Sequence, residues 1–386
     1  MRLLNFEPLN MQPFFTTATD CKVELPISID GEHQVIDWVD FKERIIITQQ
    51  KYITQKSTIA IESFPPFETH PYIKNDRKLN NNKTIVLGTF PPPSYLHVLY
   101  PAYSNREFFK GINIDKSPPL YFFYGNRGSL WDILDKDLEQ EIIEQFLDKS
   151  NIFLSDIILY AQRKSLTKGR ASDSNYVNII PNIPLIKQLI EGPNTIENIV
   201  FTSKQWDVTD GGGKGKRTKN YVPKSIQFTE ENSAVSLFFR TLISQGVKFG
   251  FQKLNSEEIL QFEPANYFRI KREFTELFAF NLIINKKVFQ LNLADSPSGN
   301  AFTPFDSITF LKWIKIKFGD KGLNVLRNHP RNSKTEKIKR ERKAPIQRDL
   351  NYPEGKDICD DFQREMYTMF LNRNFPLIKE IQNQEL

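Results

Sequence analysis

Cysteine is nearly absent: the 386 residues include two, Cys21 and Cys359, far apart, with no CxxC pair and no neighbouring histidine. This excludes a disulfide framework and a cysteine-based zinc site, and it fits a reducing, cytoplasmic location. No metal or other cofactor is expected. Long apolar runs are missing too. The opening Met1-Arg2-Leu3-Leu4-Asn5-Phe6-Glu7 breaks too early for a signal peptide. No stretch approaches the roughly 20 apolar residues of a membrane span, so a soluble protein with no membrane partner is expected. A phosphate-binding loop is also lacking. The Gly- and Lys-rich segment 207–224 imitates a Walker A motif, but Asp210 stands at the place of its first glycine and Arg217 at that of its Ser/Thr.

What remains is ample for a folded core. The chain is 39% hydrophobic and holds 32 phenylalanines, enough for one domain with long insertions or for two or three domains. A net charge of +6 suits an anionic partner, and its distribution is uneven. Residues 327–343 carry eight basic and two acidic side chains, a local +6 equal to that of the whole chain. Such a run is a solvated face or an anchor for nucleic acid, and Lys214, Lys216, Arg217 and Lys219 of the glycine-rich loop offer the same choice.

Residues 1–80 mix short β-like stretches (45–48, 57–61) with turn residues, and the polar run at 75–82 sets a boundary near residue 80. The run 84–88, Thr-Ile-Val-Leu-Gly, then reads as a buried strand emptying into Thr89-Phe90-Pro91-Pro92-Pro93. Three prolines make that turn stiff and poor in N–H donors, so it suits the rim of a pocket better than a phosphate cradle. Further strands are expected at 152–158, 196–202 and 287–293, and helices near 137–149, 179–191, 231–245, 267–279 and 304–318. One more helix is expected over 355–385. Strands alternating with helices predict an α/β protein with a mainly parallel sheet. The organisation read from the chain is an N-terminal, partly β extension (1–80), an α/β domain (81–326) with an insertion near 205–275, and a basic segment with a C-terminal helix (327–386).

Three segments in order resemble the uracil-DNA glycosylase superfamily, most closely its mismatch-specific and deoxyinosine/hypoxanthine branches. They are Leu87-Gly88-Thr89-Phe90-Pro91, the aromatic run Phe123-Tyr124-Gly125-Asn126-Arg127-Gly128-Ser129-Leu130-Trp131-Asp132-Ile133-Leu134, and the loop from Leu293 to Ala301. Ser155-Asp156-Ile157 and Arg170-Ala171-Ser172-Asp173-Ser174 are similar to a further strand end and loop of the family. The resemblance covers roughly residues 83–318 and leaves 205–275 unmatched.

It implies a three-layer α/β/α fold and a monofunctional DNA N-glycosylase of base-excision repair. Such an enzyme flips a deaminated or modified base out of DNA and hydrolyses its N-glycosidic bond. Extrusion needs a stacking surface and hydrogen bonds to the base edge. By position, the base-binding candidates are Gly88, Thr89, Phe90, Phe123, Tyr124, Ser172 and Asn300. Where most branches carry an Asp, Asn or Glu to orient water, this chain has Thr89 and Phe90, so Asn126, Asp156 and Asp173 are the catalytic candidates. DNA contacts are expected from Arg127, Ser296 and Ser298 as well as from the four basic residues of the glycine-rich loop. DNA is the one partner expected, with no obligatory protein partner. The alternative is an inactive protein of the same fold that binds nucleic acid through its basic loops.

Overall fold

The computed structural model describes residues 22–29, 32–37, 68–70, 79–90, 130–134, 140–163, 176–203, 208–210, 226–228, 233–295, 305, 307–329 and 336–386. A hairpin of β1 (Lys22–Ile29) and β2 (Glu32–Asp37) comes first, and the β-like stretches expected at 45–48 and 57–61 lie outside the described residues. Next are β3 (Glu68–Thr69) and β4 (Thr84–Gly88), the strand expected from its unbroken β-branched run. Helices α1 (Leu130–Ile133) and α2 (Gln140–Ser150) lead to β5 (Ile152–Asp156), which runs almost directly into β6 (Ile158–Arg163). After β7 (Tyr176–Pro181) comes α3 (Ile183–Glu191), then β8 (Asn198–Phe201). The expected helix over 179–191 thus begins as a strand; Asn182 caps α3 by accepting the Leu185 N–H, and Pro184 sits in the first turn, where its missing N–H costs nothing.

Strands β9 (Val208–Asp210) and β10 (Ile226–Phe228) pair with each other. They are followed by α4 (Ala234–Ser244), β11 (Phe249–Gln252), β12 (Leu260–Gln261) and α5 (Tyr267–Phe274). A tight hairpin joins β13 (Ala279–Ile284) to β14 (Lys287–Leu293) through Asn285 and Lys286, both at positive φ (49° and 69°). This is the primed turn that the right-handed twist of paired strands favours. The chain closes with α6 (Ile308–Asn328), α7 (Glu336–Asp349), α8 (Ile358–Leu371) and α9 (Phe375–Asn383). Helix α6 breaks at Gly319 (φ 63°, ψ −160°), a conformation open to glycine. Among the described residues no helix is long and apolar enough to cross a membrane.

Seven strands form the main sheet in the order β12-β11-β13-β14-β8-β4-β5. The half from β14 to β5 is parallel and the half from β14 to β12 antiparallel, so the sheet is mixed and not mainly parallel as expected, being parallel only where the strands alternate with helices. Each face carries its own core. Ile85 and Leu87 of β4 join α3, α4 and α5 on one face; Val86 joins α1, α2, α6, α7, α8 and α9 on the other. A strand covered on both sides must be apolar at every position, which is why residues 84–88 read as a continuous run.

The phenylalanine excess has a location. Phe238, Phe239, Phe249, Phe251, Phe262, Phe274 and Phe280 touch one another on the first face, with Phe249 and Phe262 stacked at 4.8 Å and 10°. On the second face the C-terminal helices are welded to the sheet by buried polar groups. Gln382 Oε1 accepts the N–H groups of Phe278 (3.1 Å) and Ala279 (3.3 Å), and Asn198 Nδ2 donates to the Phe370 carbonyl at 2.8 Å.

Candidate active site

In the parallel half, the strands in chain order β4, β5, β8 and β14 occupy spatial order β5-β4-β8-β14. The chain steps from β4 to β5 by way of α1 and α2 on one face, then returns over β4 to β8 by way of α3 on the other. Between β4 and β8 the winding reverses, and in open α/β sheets the crevice beyond the strand carboxyl ends at such a point is where ligands bind. Gly88, Asp156, Phe201 and Leu293 end the four strands. The pairing continues past them: Thr202 N–H donates to the Leu87 carbonyl at 3.0 Å, and Ala294 N–H to the Phe201 carbonyl at 2.9 Å.

At this edge the structure brings together Gly88, Thr89, Phe90 and Asp156 of the residues singled out by sequence. Gly88 and Asp156 are register partners on adjacent parallel strands. Beyond them, Ile157 N–H donates to the Gly88 carbonyl (3.0 Å) and Ile158 N–H to that of Thr89 (3.3 Å), so the β5–β6 connection runs along the turn and holds it. The remaining candidates lie outside the described residues: Asn126 and Asp173; Phe123, Tyr124, Ser172 and Asn300; and Arg127, Lys214, Lys216, Arg217, Lys219, Ser296 and Ser298.

The described geometry adds two residues that sequence reading missed, His70 and Tyr176. Strand β3 pairs with β6 and β6 with β7, making a small antiparallel sheet beside the end of β5. His70 follows β3, and its N–H donates to the Leu159 carbonyl at 2.8 Å. That anchor turns its imidazole onto Asp156: Nε2 lies 2.8 Å from Oδ2, with the two side chains 1% and 6% exposed. A carboxylate oxygen only accepts, which assigns the proton of this bond to Nε2. The Phe90 ring sits between His70 (5.5 Å, edge-on at 85°) and Tyr176 (5.8 Å, 79°) and is 7% exposed. The Tyr176 hydroxyl donates to the Phe90 carbonyl at 3.2 Å.

Behind the pair, Asn182 Nδ2 donates to Ser155 Oγ (3.3 Å) and to the Asp156 carbonyl (3.2 Å). The main chain around Asp156 is thereby fixed by Gly88 on one side and Asn182 on the other. A carboxylate held in this way and oriented by an imidazole N–H suits facing a developing cation, and it directs a water molecule only once the cluster opens. No signal in the sequence linked His70 to Asp156, 86 positions later. It stands alone in a turn-rich stretch, and only the β3–β6 pairing brings it to the strand ends.

At the neighbouring end of β14, the Tyr367 hydroxyl donates to the Asp295 carbonyl at 2.6 Å. Burial, with a smaller push from the Asp295 charge, holds this phenol well above its ordinary range, so it acts as a neutral donor. Leu293, Asp295, Thr309, Gln363 and Tyr367 line a cavity of about 10 Å³ there, the space of about one water. A wider open groove of about 450 Å³ lies at the amino end of β14, beside Lys248, Asn285, Lys286 and Val288, away from the Asp156 edge. The chemistry-bearing cluster, and not the wider groove, marks the candidate site. Among the described residues no group of three His, Cys, Asp or Glu side chains is placed to hold a metal ion.

No family model, curated protein or solved structure matches the chain in comparisons with known proteins.

Proposed function

We propose that this chain is a monofunctional DNA glycosylase of the uracil-DNA glycosylase type, which flips a deaminated or modified base out of DNA and hydrolyses its N-glycosidic bond. One observation carries the reading. The strand ends Leu87-Gly88, Ser155-Asp156 and Leu293-Ala294, all within segments that resemble the family, lie at the same carboxyl edge of one sheet whose winding reverses there, the first two adjacent and the third one strand away across β8. Helices on both faces of that sheet agree with the three-layer arrangement the family implies.

In this reading the turn at 88–90 is the floor of the base pocket, with Phe90 backed by His70 and Tyr176. The C1′–N bond breaks with its electron pair going to the base, and a water oxygen adds to the oxocarbenium-like C1′. Asp156 is sealed in the free protein, so in this reading entry of the base opens the cluster to the attacking water, whose proton passes to the Asp156 carboxylate and is later released to solvent, where the departed base anion takes one up. Asn126 and Asp173 assist with the water and the base edge. Positioned acid–base groups contribute about 10² to 10⁴-fold to such steps. The basic loops hold the phosphate backbone, which makes binding fall steeply with salt.

The experiment is incubation of the protein with oligonucleotides carrying uracil, hypoxanthine, xanthine or bulky modified cytosines, followed by alkali to cleave abasic sites. Cleavage of at least one is expected. Salt-dependent binding with no cleavage of any substrate overturns the glycosylase reading in favour of the inactive nucleic-acid-binding alternative.

A further inference from the structure

We infer that His70, contributed by the segment before residue 80, is a positioning residue of this same site: its Nε2–H holds the Asp156 carboxylate in the orientation the reaction uses. The inference rests on the glycosylase reading and extends it to a part of the chain that the family resemblance, which begins near residue 83, does not reach.

Three independent restraints converge on the pair. The His70 main chain is pinned by the Leu159 carbonyl at 2.8 Å, so the imidazole is delivered by β-pairing and not by a free loop. Its ring centroid lies 5.5 Å from that of Phe90 in a T-shaped contact, which restrains the ring plane. Asp156 is in turn fixed in register with Gly88, and its carbonyl accepts from Asn182 at 3.2 Å. Both side chains are sealed, 1% and 6% exposed, so water cannot replace the imidazole as the donor to Oδ2 without opening the cluster. A buried carboxylate that loses its donor reorients toward whatever donor remains. Displacement of a catalytic group by about 1 Å costs on the order of 100-fold in rate. The segment before residue 80 is therefore part of the site and not an appendage to it.

Side-chain length gives the test. The Gln amide nitrogen reaches about as far as His Nε2, whereas the Asn amide nitrogen corresponds to Nδ1 and stops short of Asp156. In the full chain, His70→Asn and His70→Phe are expected to lower the single-turnover rate of base release about 100-fold. Affinity for DNA carrying an abasic-site analogue should change less than about threefold, and His70→Gln should recover at least about tenfold of the lost rate. In an Asp156→Asn background, His70→Asn should cost nothing further, because the carboxylate whose orientation His70 sets no longer takes part in the reaction.

If His70→Phe does not fold, the Asn/Gln contrast and the double variant decide alone. Equal rates for His70→Asn and His70→Gln, or full additivity with Asp156→Asn, overturn the inference while an active wild type leaves the glycosylase reading standing. A wild type that releases no base from any substrate overturns both.

Discussion

Asn198 and Phe370 are joined across 172 positions: the buried Asn198 amide donates to the Phe370 carbonyl at 2.8 Å. Asn198 also donates to Thr84 Oγ1 (3.1 Å) and accepts from Asn292 Nδ2 (2.6 Å), so one fully buried amide ties β4, β8 and β14 to helix α8. Replacing it with Ala strands the Asn292 amide without water, while the Phe370 carbonyl keeps the Arg373 N–H and Thr84 Oγ1 keeps the Arg373 side chain. One buried group left unsatisfied costs about 1–3 kcal/mol and the two weakened contacts add to it, so Asn198→Ala is expected to lose about 2–3 kcal/mol. Urea denaturation with an unchanged m-value and a lowered midpoint is the check; a midpoint shift under about 1 kcal/mol contradicts it.

Removing helix α9 should be worse than removing a surface helix. Ile378 and Ile381 are buried in the second core, and Gln382 satisfies two N–H groups at the start of β13. A chain ending after residue 371 is expected to lose its cooperative thermal transition. Retention of a sharp transition within a few degrees of the full chain would show that α9 is dispensable.

Asp156→Asn should separate chemistry from binding. The amide keeps the size of the carboxylate but cannot accept a proton from water, and a loss of about 10² to 10⁴-fold in base release is expected, with binding to abasic DNA retained. Measured single-turnover rates within tenfold of wild type would remove Asp156 from the reaction. Tyr176→Phe tests the scaffold instead: it deletes the hydroxyl that donates to the Phe90 carbonyl, at a cost of about 1–3 kcal/mol in stability.

Glu273 supplies a pH dependence. Hydrogen bonds from Lys253 (2.9 Å), then from Arg269 (2.7 Å), pull its carboxyl down from 4.5 to about 2. A depressed carboxyl stabilises the fold fully above its unfolded value, and that contribution fades as pH falls from about 4.5 toward 2. The cluster is partly solvated, so about 1 kcal/mol is expected. Glu273→Gln should lower stability at neutral pH by that amount and flatten the acid limb between pH 4.5 and 2; parallel wild-type and variant curves through that window would refute the assignment.

The hairpin at Asn285-Lys286 offers a gain. Lys286 has φ 69°, where a side chain costs about 1 kcal/mol and glycine does not. Lys286→Gly should raise the urea midpoint; an unchanged or lower midpoint would mean that the Lys side chain compensates the strain.

Strand β4 was legible because burial on both faces leaves an unbroken apolar signature, and β14 because its run ends in small polar residues. β13 was not. Phe274 and Phe278 stand four apart and extend the helical pattern of α5, yet they enter opposite cores, and the chain changes from helix to strand between them. Periodicity cannot distinguish one helix face from two surfaces met in succession. The C-terminal helix expected over 355–385 is two helices, α8 and α9, because Arg373 turns to φ 53° between them. The expected helix over 304–318 runs on to Asn328 after the break at Gly319. At the site, Gly88, Thr89, Phe90 and Asp156 were visible from local pattern and family likeness. His70 and Tyr176 were not, since their relation to Asp156 exists only once β3, β6 and β7 have paired.

Arg373 donates to Thr84 Oγ1 at 3.4 Å across 289 positions, and with Asn198 it closes a polar seam at the amino edge of the sheet. During synthesis strand β4 leaves the ribosome long before the groups that seal it exist. Nascent chains stalled short of residue 373 must therefore carry an open apolar sheet face, a natural target for chaperones and proteases, and native protection should arrive late and all at once.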